Sequence, residues 1–299
     1  MFDLRYHVAS LAAVFLALVI GILVGVGISD RGLVDKTYKS AVDARINDLE
    51  HSLDLATKRS KSLRRQQQAA QTFISAAYPT LVQDRLRGKR IALVFVGSVD
   101  GGLRTSIEQA LADAGAPSAT RVRALKMPID AKALDAALAR RPAFARYVGD
   151  QHLAALGRAL GEELVAGGEA PLWDALASRL VEERSGSGQR PVDGVVVVRS
   201  VPPQSDGTAR FLFGFYAGLA STRSPAVGVE VSDSVSSAVD VYGRTGLSSV
   251  DDIDTLSGRL ALVMLLAGGR PGQYGLKATA KDGVLPPIEP LPTASAPGG

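Results

Sequence analysis

The chain contains no cysteine in its 299 residues. This absence excludes disulfide bonds, thiolate metal sites and a cysteine nucleophile, and it is compatible with either side of a membrane. No two histidines or methionines are spaced three or four residues apart, so a soft-metal site would have to be assembled from scattered residues. These residues are His7, His51, His152, Met1, Met127 and Met264. No Ser-His-Asp set has a recognisable local context, and the sequence therefore predicts a protein that is not an enzyme.

Aromatic residues are also scarce, at 5% of the chain. The net charge is +4 and the pI is about 9.4, but Lys and Arg are dispersed among acidic residues. No basic stripe interleaved with aromatic residues occurs, so nucleic acid is not an expected partner. The basic excess is interpreted as a solvated surface that faces water, anionic envelope polymers or lipid head groups.

Long apolar runs are absent except for one, Val8 to Ile28, which has no charged residue and a single hydroxyl at Ser10. A helix of this length reaches about 30 Å, which matches the hydrocarbon core of a bilayer. A cleaved signal peptide would need a basic start and a small-x-small cleavage site, and a buried core helix would be shorter with a polar face. We therefore predict an uncleaved transmembrane helix at residues 8–28, preceded by a short flank at residues 1–7.

One face of this predicted helix carries small residues at a spacing of four. Small side chains let two helices approach closely in lipid, so the face is a candidate dimer contact. The alternative is that Ala and Gly are simply common in membrane helices. The residues of this predicted contact, with Ala9 extending it by one turn, are Ala13, Ala17, Gly21 and Gly25.

The charges that flank the apolar run leave the topology open. Counting Lys and Arg alone, the flank after the run is the richer one, which would place the bulk of the chain in the cytoplasm. The very short N-terminal flank and the large body instead resemble a signal anchor whose body is exported.

Residues 36–78 contain no Gly or Pro and are dense in good helix formers. Apolar residues recur there with alternating spacings of three and four over more than four heptads, which is typical of a coiled coil. We predict a parallel homodimeric stalk; the alternative is one long amphipathic helix packed on its own globular domain. The predicted seam, weakened by Ser60 and Gln67 and ending at Ala77, consists of Ile46, Leu49, Leu53, Ala56, Leu63, Ala70 and Ile74.

Residues 89–282 alternate strand-like and helical patterns. Arg90 to Val96 and Gly194 to Val198 are continuous apolar runs of strand length, typical of strands buried on both faces. We expect an α/β domain with three layers and a mostly parallel sheet, resembling a Rossmann or flavodoxin-like fold. Residues 283–299 are rich in Pro and are expected to form a disordered tail.

Two segments could carry chemistry. The turn from Gly97 to Gly102 lies where a phosphate loop would lie, but it is not G-x-G-x-x-G and it carries Asp100, so a tight strand-to-helix connection is favoured. Three acids, Asp251, Asp252 and Asp254, could form a hard-cation site or an acid/base pair. They directly precede a predicted helix, Leu256 to Ala267, and the favoured interpretation is that these acids and Thr255 cap it.

Two stretches carry a family resemblance. The run from Phe2 to Gly25, FDLRYHVASLAAVFLALVIGILVG, resembles the start of the actinobacterial MctB-type copper transporter family. The segment Gly246 to Thr255, followed by Ala-Leu-Val and by Gly272-Gln-Tyr-Gly275, is similar to that family's C-terminal signature. The resemblance extends over essentially the whole chain.

The resemblance implies a single-pass protein of the cell membrane with an extracytoplasmic body and a role in copper homeostasis, described for mycobacterial members as efflux. Relatives are also linked to a membrane partner in septal cell-wall processing, so a homodimeric scaffold that docks a second membrane protein is the alternative. Copper is expected by resemblance only, since no ligand motif is present onto which metal residues could be carried over. No cofactor is evident, and the expected partners are membrane lipid, a second copy and this second membrane protein.

Overall fold

A computed structural model describes residues 4–28, 31–117, 119–186 and 188–290. The chain divides into two compact units, with the division between Gln71 and Thr72. The predictions for residues 1–3 of the N-terminal flank and 291–299 of the tail lie outside the described residues.

The first unit begins with helix α1, Leu4–Ile28, which contains the predicted membrane-spanning run. Within the described residues it is the one helix long and apolar enough to cross a bilayer, over Tyr6–Gly27. Its side chains from residue 6 to residue 27 are exposed.

Helix α2 runs from Arg31 to Val82. It is longer at both ends than the predicted stalk at residues 36–78. The helix also continues through Pro79, one residue past the predicted end of the stalk, and the Pro79 carbonyl accepts a hydrogen bond from the amide of Gln83 at 3.1 Å. A proline inside a helix removes one amide donor and costs about 3 kcal/mol, and here the residues on either side of it, Tyr78 and Val82, are buried in the core.

The second unit contains the sheet and its covering helices. Its strands are β1 Ile91–Val96, β2 Arg121–Leu125, β3 Val181–Gly186, β4 Gly194–Arg199, β5 Ala226–Val229, β6 Ser248–Val250 and β7 Gln273–Tyr274. Its helices are α3 Gly101–Asp113, α4 Ala131–Ala139, α5 Leu153–Ala166, α6 Pro171–Leu180, α7 Asp206–Ala220, α8 Val239–Thr245 and α9 Leu256–Leu266.

The seven strands form one sheet in the order β3-β2-β1-β4-β5-β6-β7. Every pairing is parallel except that of β3 with β2, which is antiparallel. The expected α/β class with a mostly parallel sheet is confirmed, whereas the finer Rossmann or flavodoxin-like assignment stays a prediction. Strand-like patterns at Thr120 to Leu125 and at Ala226 to Val231 predict β2 and β5, whereas the sequence does not predict β3, β6 and β7.

The sheet is covered on both faces, because alternate residues of its central strands enter two different hydrophobic clusters. Ala92 and Val94 of β1 pack in a cluster with α4 to α8, whereas Leu93 and Phe95 pack in a second cluster with α3 and α9. Side chains of successive strand residues point to opposite faces, so both faces of β1 are buried. This arrangement gives three layers.

Helices α5 and α7 approach each other closely within the first cluster. A β-carbon on Gly161 would lie 2.5 Å from the Phe215 carbonyl oxygen, and one on Gly218 would lie 2.2 Å from the Arg158 carbonyl oxygen. Real β-carbons essentially never approach backbone oxygens this closely. Glycine on both helices is therefore what permits the contact.

The C-terminal end of α2 packs against the second cluster. Tyr78 and Val82 are buried there, and Ile74 is half-buried against the same cluster. Ile74 therefore contacts its own domain, and its contact with a second copy stays a prediction. The C-terminal end of α2 is packed on its own domain, as the alternative interpretation predicts.

The globular unit also extends past residue 282. Leu285 packs against the second cluster, and Pro286 is buried. The Gly283 carbonyl accepts a hydrogen bond from the Gly275 amide at 3.0 Å. The start of the segment expected to be a disordered tail is therefore part of the folded unit.

Candidate functional site at the carboxyl edge of the sheet

Buried acidic residues follow two neighbouring strands at the edge where the parallel strands end. Glu230 follows β5, and Asp251 and Asp252 follow β6; all three are 5% exposed or less. The carboxyl edge of an open α/β sheet is where such folds position functional groups. The three carboxylates each have a different set of partners.

Asp251 holds the loop that follows β7, residues 275–283. Its Oδ1 accepts hydrogen bonds from the amides of Leu276 at 2.8 Å and Lys277 at 3.3 Å, and the Thr279 hydroxyl donates to Oδ2 at 3.4 Å. The loop turns at Gly275, where φ is +139°. A carboxylate that accepts several donors from one loop fixes the position of that loop.

The 275–283 loop is closed at its base by a second acid. The Gln273 amide donates to the Asp282 carboxylate at 2.8 Å, and the Asp282 amide donates to the Gln273 carbonyl at 3.0 Å. Together with the Gly275 to Gly283 bond, these contacts bring the two ends of the loop together, as in an Ω-loop. Ω-loops of this kind frequently carry function.

Glu230 forms a second connection to the same loop. Its Oε2 lies 3.4 Å from the Lys277 ammonium, and the two side chains are 4% and 17% exposed. Its Oε1 accepts a short hydrogen bond from the Ala238 amide, just before α8. The carboxylate thus links the start of α8 to the loop through one partly buried ion pair.

Asp252 lies at the start of α9. Its Oδ2 accepts hydrogen bonds from the hydroxyls of Thr255 at 2.8 Å and Ser257 at 3.0 Å, while Oδ1 is buried and has no partner among the described atoms. Burial is the main cause that raises the pKa of this carboxyl, because the charged form loses its hydration; the two hydroxyl donors oppose the effect.

The expectation that the acids and Thr255 cap α9 is confirmed for Thr255. The residue that caps α9 is Thr255, whose hydroxyl accepts a hydrogen bond from the Gly258 amide at 3.0 Å. Asp252 supports this cap through its bond with Thr255. Asp254 instead accepts hydrogen bonds from the amide and the hydroxyl of Ser232, both at 2.7 Å.

A polar groove of about 620 Å³ lies between α8 and the 275–283 loop. Such a volume suits a small polar molecule. Asp240 and Lys281 face each other across it at 3.8 Å, and Gly243 leaves space beside the Gln273 amide. Its lining residues are Val239, Asp240, Gly243, Arg244, Gln273, Thr279 and Lys281.

The turn between β1 and α3 contains the residue that caps α3. Asp100 accepts a hydrogen bond from the Leu103 amide at 2.9 Å and caps α3. A β-carbon on Gly97 would lie 2.4 Å from a methyl group of Val201, so the turn is closely packed against the chain that follows β4. The tight connection expected from the sequence describes this turn.

No three His, Cys, Asp or Glu side chains are grouped to hold a metal ion among the residues that the structure describes. Met264, on α9, is 3% exposed and belongs to the second cluster.

The sequence identified three acids of this site, Asp251, Asp252 and Asp254, but it did not identify Glu230 or Lys277.

The residues of the predicted dimer contacts lie on two exposed helices. On α1 these are Ala13, Ala17, Gly21 and Gly25, and on α2 they are Ile46, Leu49, Leu53, Ala56, Leu63 and Ala70. All of these residues are exposed on the single chain.

Comparison with known proteins gives one family and several relatives. Residues 1–285 match the family described as "Copper transport outer membrane protein, MctB". The chain is 25% identical over 315 aligned residues to proteins named "Copper transporter MctB" from Mycobacterium bovis and from two strains of Mycobacterium tuberculosis. The alignment covers 92% of this chain and 96% of each relative.

Proposed function

The chain belongs to the MctB family of copper transport proteins, and from this membership we propose that it acts in copper homeostasis at the cell envelope. Copper is its cargo in this proposal, and the chain is not an enzyme. The observation that carries the proposal is the family match over residues 1–285, which includes both the apolar helix and the acids of the candidate site. The 275–283 loop is held by its contacts with the buried Asp251 and Glu230, and the polar groove beside it is the surface best suited to bind a small polar ligand.

In this proposal α1 anchors the protein in the cell membrane and the remainder of the chain is extracytoplasmic. A single exposed apolar helix of this length supports the anchor. A reporter that is active only after export, fused after Gly299, would be active under this topology. Activity from a reporter that works only in the cytoplasm would contradict it.

Direct copper handling can be tested by titrating the full-length protein, in detergent micelles, with Cu(I) in competition with a chromogenic chelator. We expect binding at micromolar copper or below, with zinc as the matched control ion. A strain that lacks the protein should accumulate more copper than one in which the full-length chain is restored. No binding at micromolar copper and unchanged cellular copper together would contradict a role in copper homeostasis.

A second candidate function is a homodimeric scaffold that docks another membrane protein. It is favoured by the apolar seam on α2, where Ile46 is 47% exposed and Leu49 and Leu53 are each 68% exposed. All side chains from residue 38 to residue 61 are exposed. A long helix in water depends on packing for most of its stability, and a second copy anchored in the same membrane would pack along this seam in parallel.

The dimer can be tested with two matched leucines on α2. Leu53 belongs to the seam, whereas Leu55 is 53% exposed and lies off it. Burying a leucine contributes about 1.5–3 kcal/mol, so Leu53→Asn should shift the protein from dimer to monomer in light scattering and crosslinking. Leu55→Asn should leave the dimer intact. Equal effects of the two substitutions, or a monomeric wild-type protein, would contradict the seam.

A further inference from the structure

Positive charge is concentrated in a short part of α2. Residues 58–65, KRSKSLRR, carry five bases and no acid, and the next charged residue in the chain is Asp84. Residues 43–54 carry four acids and one base. The five bases are exposed, and among the described residues only Lys58 has an acidic partner, Asp54 at 2.7 Å. The helix therefore presents one strongly basic segment.

Three of these bases lie on one ridge, which consists of Lys58, Lys61 and Arg65. At about 100° per residue, spacings of three and four place them along one line of the helix. The same geometry places this ridge about half a turn away from the seam residues Ala56 and Leu63. The ridge stays exposed when the seam is covered.

The other two bases flank the seam. In a parallel pair of helices, the residue before a seam residue on one helix faces the residue after the next seam residue on the other helix. Arg59 comes before Ser60, and Arg64 comes after Leu63. A parallel second copy would therefore bring Arg59 of one helix close to Arg64 of the other. Self-association therefore adds to the positive charge of residues 58–65 and does not neutralise it.

We infer that the ridge of Lys58, Lys61 and Arg65 is a docking surface for an acidic helical segment of a partner protein. Acids spaced by three and four on the partner helix can pair with all three bases at once, because the ridge is straight and spans only about 10 Å. The absence of acids over residues 55–83 leaves this surface free of competing pairs other than that with Asp54. One step of the inference depends on the proposed dimer: a second copy covers the seam and leaves the ridge exposed.

The test uses the full-length protein in detergent micelles and a labelled helical peptide with glutamates at spacings of three and four on one face. Fluorescence anisotropy should show binding that weakens as salt is raised. A peptide with lysine in place of glutamate should not bind. The triple variant Lys58→Gln, Lys61→Gln and Arg65→Gln should bind the acidic peptide about tenfold more weakly, the scale of three exposed ion pairs.

The matched control removes three exposed bases from the globular unit, with Lys132→Gln, Arg140→Gln and Arg158→Gln. It has the same net charge as the ridge variant and should bind as the wild type does. An equal loss in the two triple variants, or no loss in the ridge variant, would overturn the inference. Ridge-dependent binding to vesicles with anionic lipid, without binding of the peptide, would assign the ridge to a membrane surface and would also overturn it.

Light scattering on the same samples separates this inference from the dimer. A monomeric protein that binds the acidic peptide through the ridge contradicts the dimer and supports the docking surface. A dimer that does not bind the peptide contradicts the docking surface alone.

Discussion

The carboxylate of Asp251 occupies the space that a β-carbon on Gly275 would need. Such a carbon would lie 2.0 Å from the Asp251 Oδ1, and the Gly275 φ of +139° is one that other residues rarely adopt. The two residues are thus matched: the acid holds the loop, and the glycine lets the loop close over the acid.

Replacing this glycine should destabilise the globular unit. For Gly275→Ala we expect a loss of about 3 kcal/mol in the free energy of unfolding, because a backbone strain and a steric conflict with a buried carboxylate act together. Urea unfolding followed by the fluorescence of Trp173, which is buried and is the only tryptophan, measures the loss.

The control is Gly283→Ala at the other end of the loop. Its φ is +99°, but nothing lies within 4 Å of the added β-carbon, so only the backbone strain of about 1–2 kcal/mol should remain. Equal losses at both glycines would show that the contact with Asp251 contributes nothing.

Asp252 should make stability depend on pH. Its pKa is raised in the folded protein, chiefly by burial, so the folded state binds this proton more tightly than the unfolded state. Its contribution to stability is therefore fully present below the unfolded pKa of about 3.9 and is lost as pH rises through the raised folded value. Asp252→Asn removes this titration and should be more stable than the wild type at pH 7.

The measurement is the difference in unfolding free energy between wild type and Asp252→Asn from pH 4 to pH 8. The advantage of the variant should shrink as pH falls through the raised pKa, because the wild-type carboxyl then takes up its proton. A variant that is less stable at pH 7 by an amount independent of pH would contradict the prediction. In that case the hydrogen bonds from Thr255 and Ser257 to a charged acceptor would outweigh the cost of burial.

The sequence predicted the central strands and missed the marginal ones for a physical reason. Strands β1 and β4 are buried on both faces and therefore appear as continuous apolar runs. Strand β6 is Ser-Ser-Val and β7 is Gln-Tyr, which are too short for any period to be visible. Strand β3, VEERSG, is largely exposed at the edge of the sheet and forms only through its pairing with β2.

The candidate site was predictable in composition but not in its contacts. The acids at 251, 252 and 254 are adjacent in sequence, and a helix follows them, so capping is the nearest local explanation. What Asp251 contacts is the backbone of Leu276 and Lys277, which a one-dimensional pattern does not place beside it. Glu230 likewise becomes part of the site only when β5 and β6 are paired.

The close contact between α5 and α7 should be intolerant of added volume. Gly218→Ala would place a β-carbon 2.2 Å from the Arg158 carbonyl oxygen, and backbone in two packed helices cannot move locally. We expect a loss of about 3 kcal/mol or more in the free energy of unfolding. Gly101→Ala, in the first turn of α3 with open space around it, is the control and should change stability by less than about 0.5 kcal/mol.

Two residues of the predicted seam should separate folding from dimerisation. Ile74 is half-buried against the chain's own core, whereas Leu63 is 58% exposed on the same helix. Ile74→Ala should lower the free energy of unfolding of the globular unit by about 1–2 kcal/mol and leave the dimer fraction unchanged. Leu63→Ala should lower the dimer fraction in light scattering and leave the Trp173 unfolding transition unchanged. Ile74→Ala could instead weaken dimerisation and leave the free energy of unfolding unchanged. This outcome would mean that a second copy displaces the end of α2 from its own domain. The seam would then include all the residues predicted for it.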